Sequence, residues 1–306
     1  MSARNLALAL AATSLGCAQL RSLPGGDLVA GAAEKNAGIV GENLARSVES
    51  GEFQKTATFT MEQEYYLGKT VCASVLSRMG GDVLPPTHPA AVYARRVGTA
   101  LAYAAADLRD EGSRPYPMKG FLFIPARSEA VNAAGAPGGF VSVTTGVLRA
   151  ARSEDELAAV LAHEIAHVQL GHTMQPIEAA RKQEQMTGVL LEGTSTVVHA
   201  FFGKVVDAGT DFVLDRGFGK ANELAADALA VRILAAAGYD PGALGVFLSR
   251  LAGQAAKGGF FSRHPPAAER VDALSHVTVP PVPAPGEAAL AARRKRFQAA
   301  QASVKG

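Results

Sequence analysis

Apolar and polar residues recur along this chain with two periods, and together they predict a mainly α-helical α+β protein with one small sheet. From Thr60, MEQEYYLGKTVCASVLSRMGG keeps helical spacing up to its glycine pair. Pro85-Pro86 and His88-Pro89 mark a loop, after which AAVYARRVGTALAYAAADL resumes the helical pattern. FLFIP (121–125) reads as a short buried strand. Beyond a turn region rich in Gly and Pro, Phe140 to Thr144 alternate, which predicts a second strand at the edge of the sheet. Ser153 stands three residues before Glu156 in capping-box spacing, so LAAVLAHEIAHVQLGH belongs to a helix with Gly171 as its stop. A further helix runs from about Ala221 to Ala237 and stops at Gly238, and Tyr239-Asp240-Pro241 opens the next.

The ends of the chain read differently. Arg4 precedes a short apolar run from Leu6 to Gly16, too short to span a bilayer, which needs about 20 apolar residues. The segment 1–17 fits an export signal. Cys17 after Leu15-Gly16 resembles a bacterial lipobox, which would make Cys17 a lipidated N-terminus and anchor the protein to a membrane; ordinary cleavage nearby or an uncleaved N-terminal helix is the alternative. Residues 18–56 read as a tether rich in Gly, Ala and charge, 57–276 as the main domain, and 277–306 as a Pro-rich linker followed by a solvated basic tail around Arg293-Arg294-Lys295-Arg296. An insert at 174–220 carries Glu192, Lys204, Asp207 and Asp211, charges that argue against a membrane span.

With 306 residues, 48% of them apolar, the chain can build a large core. A net charge of +2 gives no electrostatic footprint for nucleic acid, and no nucleic-acid partner is expected. Two cysteines, Cys17 and Cys72, exclude both a disulfide framework and a Cys-rich zinc module.

The candidate chemistry sits in HEIAH. Positions i and i+4 of a helix differ by about 40° in direction, so His163 and His167 can aim at one ion. Glu164 is rotated by about 100° from His163, which suits a base acting on water rather than a ligand. The pattern also occurs by chance, so a third ligand decides. A third histidine beyond a glycine turn is excluded, because Leu170 and Thr173 hold the required positions; His172 falls one residue short and takes a structural role. The segment KANELAADALAVRIL supplies Glu223 instead, with Asp227 four positions on along the same face. Glu223 would complete a His-His-Glu set, and Asp227 would accept a ring N–H from a ligand histidine and set its tautomer. Exposed helix charge is the bland alternative for both carboxylates, although the helix around them is almost wholly apolar.

At this point the chain resembles the zinc metallopeptidases that include the CAAX prenyl endopeptidases, the HtpX-type proteases and bacterial periplasmic or lipoprotein quality-control peptidases. EQEYYLGKTV, VNAAGAPGGFVSVTTGVL, SEDELAAVLAHEIAHVQLGH, NELAADALAV, AAGYDPGAL and SRHPPAAER carry the likeness, over about 57–276. The resemblance implies a zincin-like domain with one Zn2+ per chain, held by His163, His167 and Glu223, with Glu164 as catalytic base. It places Asp227 and Arg270 behind the ligands, and His264 near the cleft as an oxyanion donor; a structural loop histidine is the alternative for His264. It further implies that Asn132, Gly139, Val141 and Val143 bind substrate, an extended peptide adding to the strand at 139–145. The expected activity is a zinc-dependent endopeptidase that cleaves unfolded or misassembled cell-envelope proteins on the periplasmic side, anchored to the outer membrane through Cys17. The alternative from a different class is a chaperone or assembly factor that binds extended segments and cuts little.

Overall fold

The structure, a computed structural model, describes residues 59–80, 82–110, 113–186, 205–251, 267–283 and 285–304. The export-type segment, Cys17, the tether and His264 therefore lie outside the described residues, as do residues 187–204 of the insert.

Helix α1 (Met61–Arg78) opens on a reciprocal capping box: Gln63 N–H donates to the Thr60 hydroxyl, and Thr60 N–H donates to the Gln63 side chain. Strand β1 (Asp82–Val83) leads into α2 (Pro89–Asp107), which carries Pro at its first position, where the missing N–H costs nothing. Strands β2 (Leu122–Arg127), β3 (Ala133–Ala136) and β4 (Phe140–Thr144) follow, then the short α3 (Thr145–Ala150). The central helix α4 (Glu154–Gln169) is next, and after it α5 (Gln175–Met186). A π-helical turn at Phe212–Arg216 precedes α6 (Lys220–Ala236), α7 (Ala243–Leu251), α8 (Ala267–Ser275) and α9 (Glu287–Ala302).

The strand order is β1-β2-β4-β3, with β2 and β4 parallel and the outer pairs antiparallel. This corrects the expectation that 139–145 is the edge strand. β4 is paired on both sides, Val141 against Phe123 and Gly135, and Val143 against Pro125 and Ala133. Val141 and Val143 are fully buried, so neither presents a free backbone edge to a substrate. The exposed-looking alternation has another cause. The Ser142 hydroxyl donates to Ala134 O at 3.2 Å and the Thr144 hydroxyl to Ala130 O at 2.6 Å, so both polar positions are satisfied by neighbouring backbone. The edge strand on this side is β3. A tight link, Pro137–Gly139, joins it to β4; Gly138 has φ +69°, and a side chain there would meet the backbone of Tyr65 on α1. Gly139 belongs to that link and is buried.

Helix α4 lies between the sheet, α2 and α6, and is buried all round, as its apolar run Leu157, Val160, Leu161 and Ile165 requires. The Ser153 hydroxyl accepts Glu156 N–H at 3.2 Å, as the spacing predicts. The reciprocal half is absent: the Glu156 carboxylate takes Arg152 N–H at 2.8 Å and pairs with Arg250 on α7. The expected basic tail is corrected in part: Arg294, Lys295 and Arg296 are exposed, but the segment is a packed helix. Residues 287–302 form α9, whose Phe297 and Ala300 are buried in the main core. Cys72 is a free, buried thiol, which burial pushes up to about 12, consistent with an inert side chain. Among the described residues no helix is long and apolar enough to cross a membrane.

Candidate active site

Helix α4 presents His163 and His167 on one face, and α6 packs against that face along its length. The two Nε2 atoms lie 3.0 Å apart. From α6, the Glu223 carboxylate approaches them at 3.4 Å from His163 Nε2 and 3.7 Å from His167 Nε2. All three side chains are buried, and among the described residues they form the one His/Asp/Glu/Cys group close enough to share a metal ion. Ligand bonds of about 2.0–2.2 Å put neighbouring donors of a tetrahedral ion about 3.3–3.6 Å apart. The observed separations bracket that value. The donor set fits a small divalent cation.

The surroundings add charge of the required sign. Asp227, one turn beyond Glu223 on α6, accepts from His163 Nδ1 at 2.9 Å. An ionised carboxylate only accepts, so the His163 proton sits on Nδ1 and leaves Nε2 facing the cluster. Arg270 on α8 clamps Asp227 with two hydrogen bonds, Nε to Oδ2 at 2.8 Å and Nη2 to Oδ1 at 2.6 Å. Burial alone would raise the Asp227 carboxyl, but the bonds from Arg270 and His163 outweigh it and hold it at about 2. Burial would likewise lower His163, yet Asp227 and Glu223 push it up to about 9. For His167, burial and the neighbouring His163 lower the value. Three buried carboxylates, Glu164, Glu223 and Asp227, gather here beside Arg270, so a divalent ion would offset negative charge.

Glu164, whose charge acts on His167, also reaches the sheet. Gly135 N–H on edge strand β3 donates to its Oε2 at 2.6 Å, and its Oε1 has no hydrogen-bond partner among the described residues. One oxygen is held and the other is open. The strand can come this close because residue 135 is glycine: a Cβ there would lie 2.8 Å from Glu164 O and 3.3 Å from Val168 Cγ2. Gly135→Ala is expected to force β3 off α4 and destabilise the fold by about 1–3 kcal/mol, read as a lower denaturation midpoint. An unchanged midpoint would show that the strand is not seated on the helix.

The structure thus brings together His163, His167, Glu223, Glu164, Asp227 and Arg270. Asn132 is buried at the start of β3, tied to β4 through Thr144, while Gly139, Val141 and Val143 lie away from the edge. Two participants had no role in the sequence reading. Gly135 orients Glu164, and its signal was its position in the strand facing the motif helix. Phe218 packs its ring on His167, 4.3 Å between centroids, and nothing in its sequence context marks it.

Comparison with known proteins places this constellation. A putative beta-barrel assembly-enhancing protease of Vibrio cholerae is 33% identical over 141 residues, 43% of this chain and 28% of the relative. The beta-barrel assembly-enhancing protease of Yersinia pestis is 33% identical over 139 residues, 44% of this chain and 29% of the relative. The mitochondrial metalloendopeptidase OMA1 of Schizosaccharomyces pombe is 29% identical over 216 residues, 69% of this chain and 60% of the relative. The chain thus spans under a third of the length of these bacterial relatives. Residues 96–278, well over half of the chain and the whole of the His-His-Glu cluster, match peptidase family M48, and the chain belongs to that metallopeptidase family.

Proposed function

We propose that this chain is a zinc-dependent endopeptidase acting on unfolded or misassembled proteins of the bacterial cell envelope. The observation that carries the reading is the juxtaposition of three converging donors with a carboxylate held at one oxygen and open at the other. His163, His167 and Glu223 would hold the ion. When bound, zinc supplies a Lewis acid for the scissile carbonyl and lowers the pKa of water to near 7. Glu164 does the proton work: Oε1 takes a proton from the attacking water and later returns it to the leaving amine, while Gly135 N–H keeps the carboxylate in place. Asp227, itself held by Arg270, keeps the His163 ring in the tautomer that faces the cluster. An extended substrate is assigned to the side of β3, the edge strand that abuts α4, by strand addition. His264 is assigned as the oxyanion donor on resemblance alone.

The envelope location draws on the export-type segment ending at Cys17 and on the similarity to beta-barrel assembly-enhancing proteases. Lipidation of Cys17 and anchoring to the outer membrane belong to the same proposal. The test is metal analysis together with cleavage of casein before and after chelation. One equivalent of zinc is expected, with activity lost on chelation and restored by zinc. Because the ion binds only the folded chain, chelation should also lower the thermal midpoint, by an amount corresponding to about 4 kcal/mol where free zinc stood 1,000-fold above its Kd. Cleavage that survives complete metal removal would overturn the reading.

A further inference from the structure

The two histidine ligands are not held alike. His163 leans on a carboxylate, Asp227, whereas His167 Nδ1 faces another imidazole, His172 Nδ1, at 3.0 Å. We propose that His172 is the positioning residue for His167, acting as a neutral acceptor that fixes the tautomer and angle of the ligand ring. This deepens the zinc-peptidase reading and rests on it.

The backbone delivers His172 to this place. Helix α4 ends in a Schellman turn, with Gly171 N–H donating to Val168 O at 3.0 Å and His172 N–H to His167 O at 3.0 Å. Gly171 takes the left-handed conformation the turn needs, φ +76°, and a side chain there would strike Arg114 at 2.5 Å. The turn bends the chain back over the last helical residues, so a side chain five positions after His167 lies beside its ring. The rings stand 5.1 Å apart at 67°, and Phe218 closes over both, 4.3 Å from His167 and 6.2 Å from His172. His172 is buried, and its ring has a fixed place.

The proton order follows from the geometry. A neutral imidazole has one N–H. His167 turns Nε2 toward His163 and Glu223, so its proton belongs on Nδ1. Nδ1 therefore donates, and the facing atom, His172 Nδ1, must accept. That leaves the His172 proton on Nε2. The acceptor is uncharged, unlike the Asp227 that serves His163, so the two ligands differ in basicity.

Variants of the full chain separate this role from simple packing. His172→Asn keeps an acceptor close to the position of Nδ1, while His172→Phe keeps ring volume without one and His172→Ala removes both. Zinc affinity is measured by competition with a chromophoric chelator, and the cobalt-substituted protein gives a ligand-field absorption spectrum. His172→Phe and His172→Ala are expected to bind zinc about 10- to 100-fold more weakly with altered cobalt bands. His172→Asn should recover most of the affinity. If Phe distorts the fold, Ala against Asn still makes the comparison. Equal zinc affinity in folded wild type, Ala and Asn variants would overturn the proposal, as would an Asn variant no better than Ala. A wild type that binds no zinc at all would instead overturn the peptidase reading.

Discussion

Replacing Glu164 with Gln is expected to lower kcat on an unfolded protein by about 10²- to 10⁴-fold while zinc content and the thermal midpoint stay near wild type. The separation of effects comes from the geometry. The amide oxygen of Gln can still accept Gly135 N–H, the 2.6 Å bond that ties the side chain to β3, so the helix–strand contact survives. The residues that would hold zinc are His163, His167 and Glu223, and Glu164 is not one of them. What is lost is the basic oxygen: an amide cannot take the proton from water or return it to the amine. A near-normal KM with collapsed kcat therefore identifies a group used in the chemical step. Should Gln and wild type cleave casein equally well, Glu164 is not the base. If neither cleaves any unfolded substrate though both hold zinc, the binding or assembly-factor reading replaces the enzymatic one.

How far the site was legible depended on how local each interaction is. His163, Glu164 and His167 share one helix, and helical geometry alone puts the histidines on a common face. Glu223 and Asp227 were legible because two carboxylates in the nearly apolar run ELAADALAV need partners, and α4 provides them. The error at 139–145 is of another kind. Alternation of Val with Ser and Thr describes what each side chain contacts, and it carries no information on which strands lie on either side. Ser142 and Thr144 find acceptors on neighbouring backbone, so a central strand imitated an edge. The Schellman turn that carries His172 is local and readable from Gly171, but the reason for that placement appears only when His167 is seen needing a partner on Nδ1. The terminal helix was least legible, since its basic residues meet acids about 140 positions earlier in the chain.

That terminal helix has the largest expected effect on stability. Ending the chain at Gly286 should lower stability by more than the about 3–5 kcal/mol expected from Phe297→Ala alone. Phe297 is buried against Tyr93, 6.4 Å between ring centroids, and Gln301 caps the end of α3 by donating to Leu148 O and Ala151 O at 2.8 and 2.9 Å. Arg293 donates to Gly238 O at 2.7 Å and pairs with Asp155. The electrostatic centre is Glu154, in the first turn of α4: it accepts from Tyr93 and Tyr239 hydroxyls at 2.9 and 3.1 Å and is gripped by Arg296 through both oxygens. Burial raises the Glu154 carboxyl, but the hydrogen bonds from Arg296 and Tyr93 outweigh it, and the net value lies below the ordinary carboxylate range. A folded value below the unfolded one gives stability that is present at neutral pH and lost as pH falls through the folded value. Arg296→Ala removes the strongest of these partners, and because the guanidinium is half exposed its cost is set at about 1–3 kcal/mol rather than that of a fully buried pair. The cost should be full at pH 7 and should shrink as acid protonates Glu154 in the wild type. Denaturant melts of both proteins from pH 7 down to pH 3 read this directly. A gap between them that stays constant over that range would mean that Arg296 stabilises the helix by packing alone and that Glu154 is not its electrostatic partner.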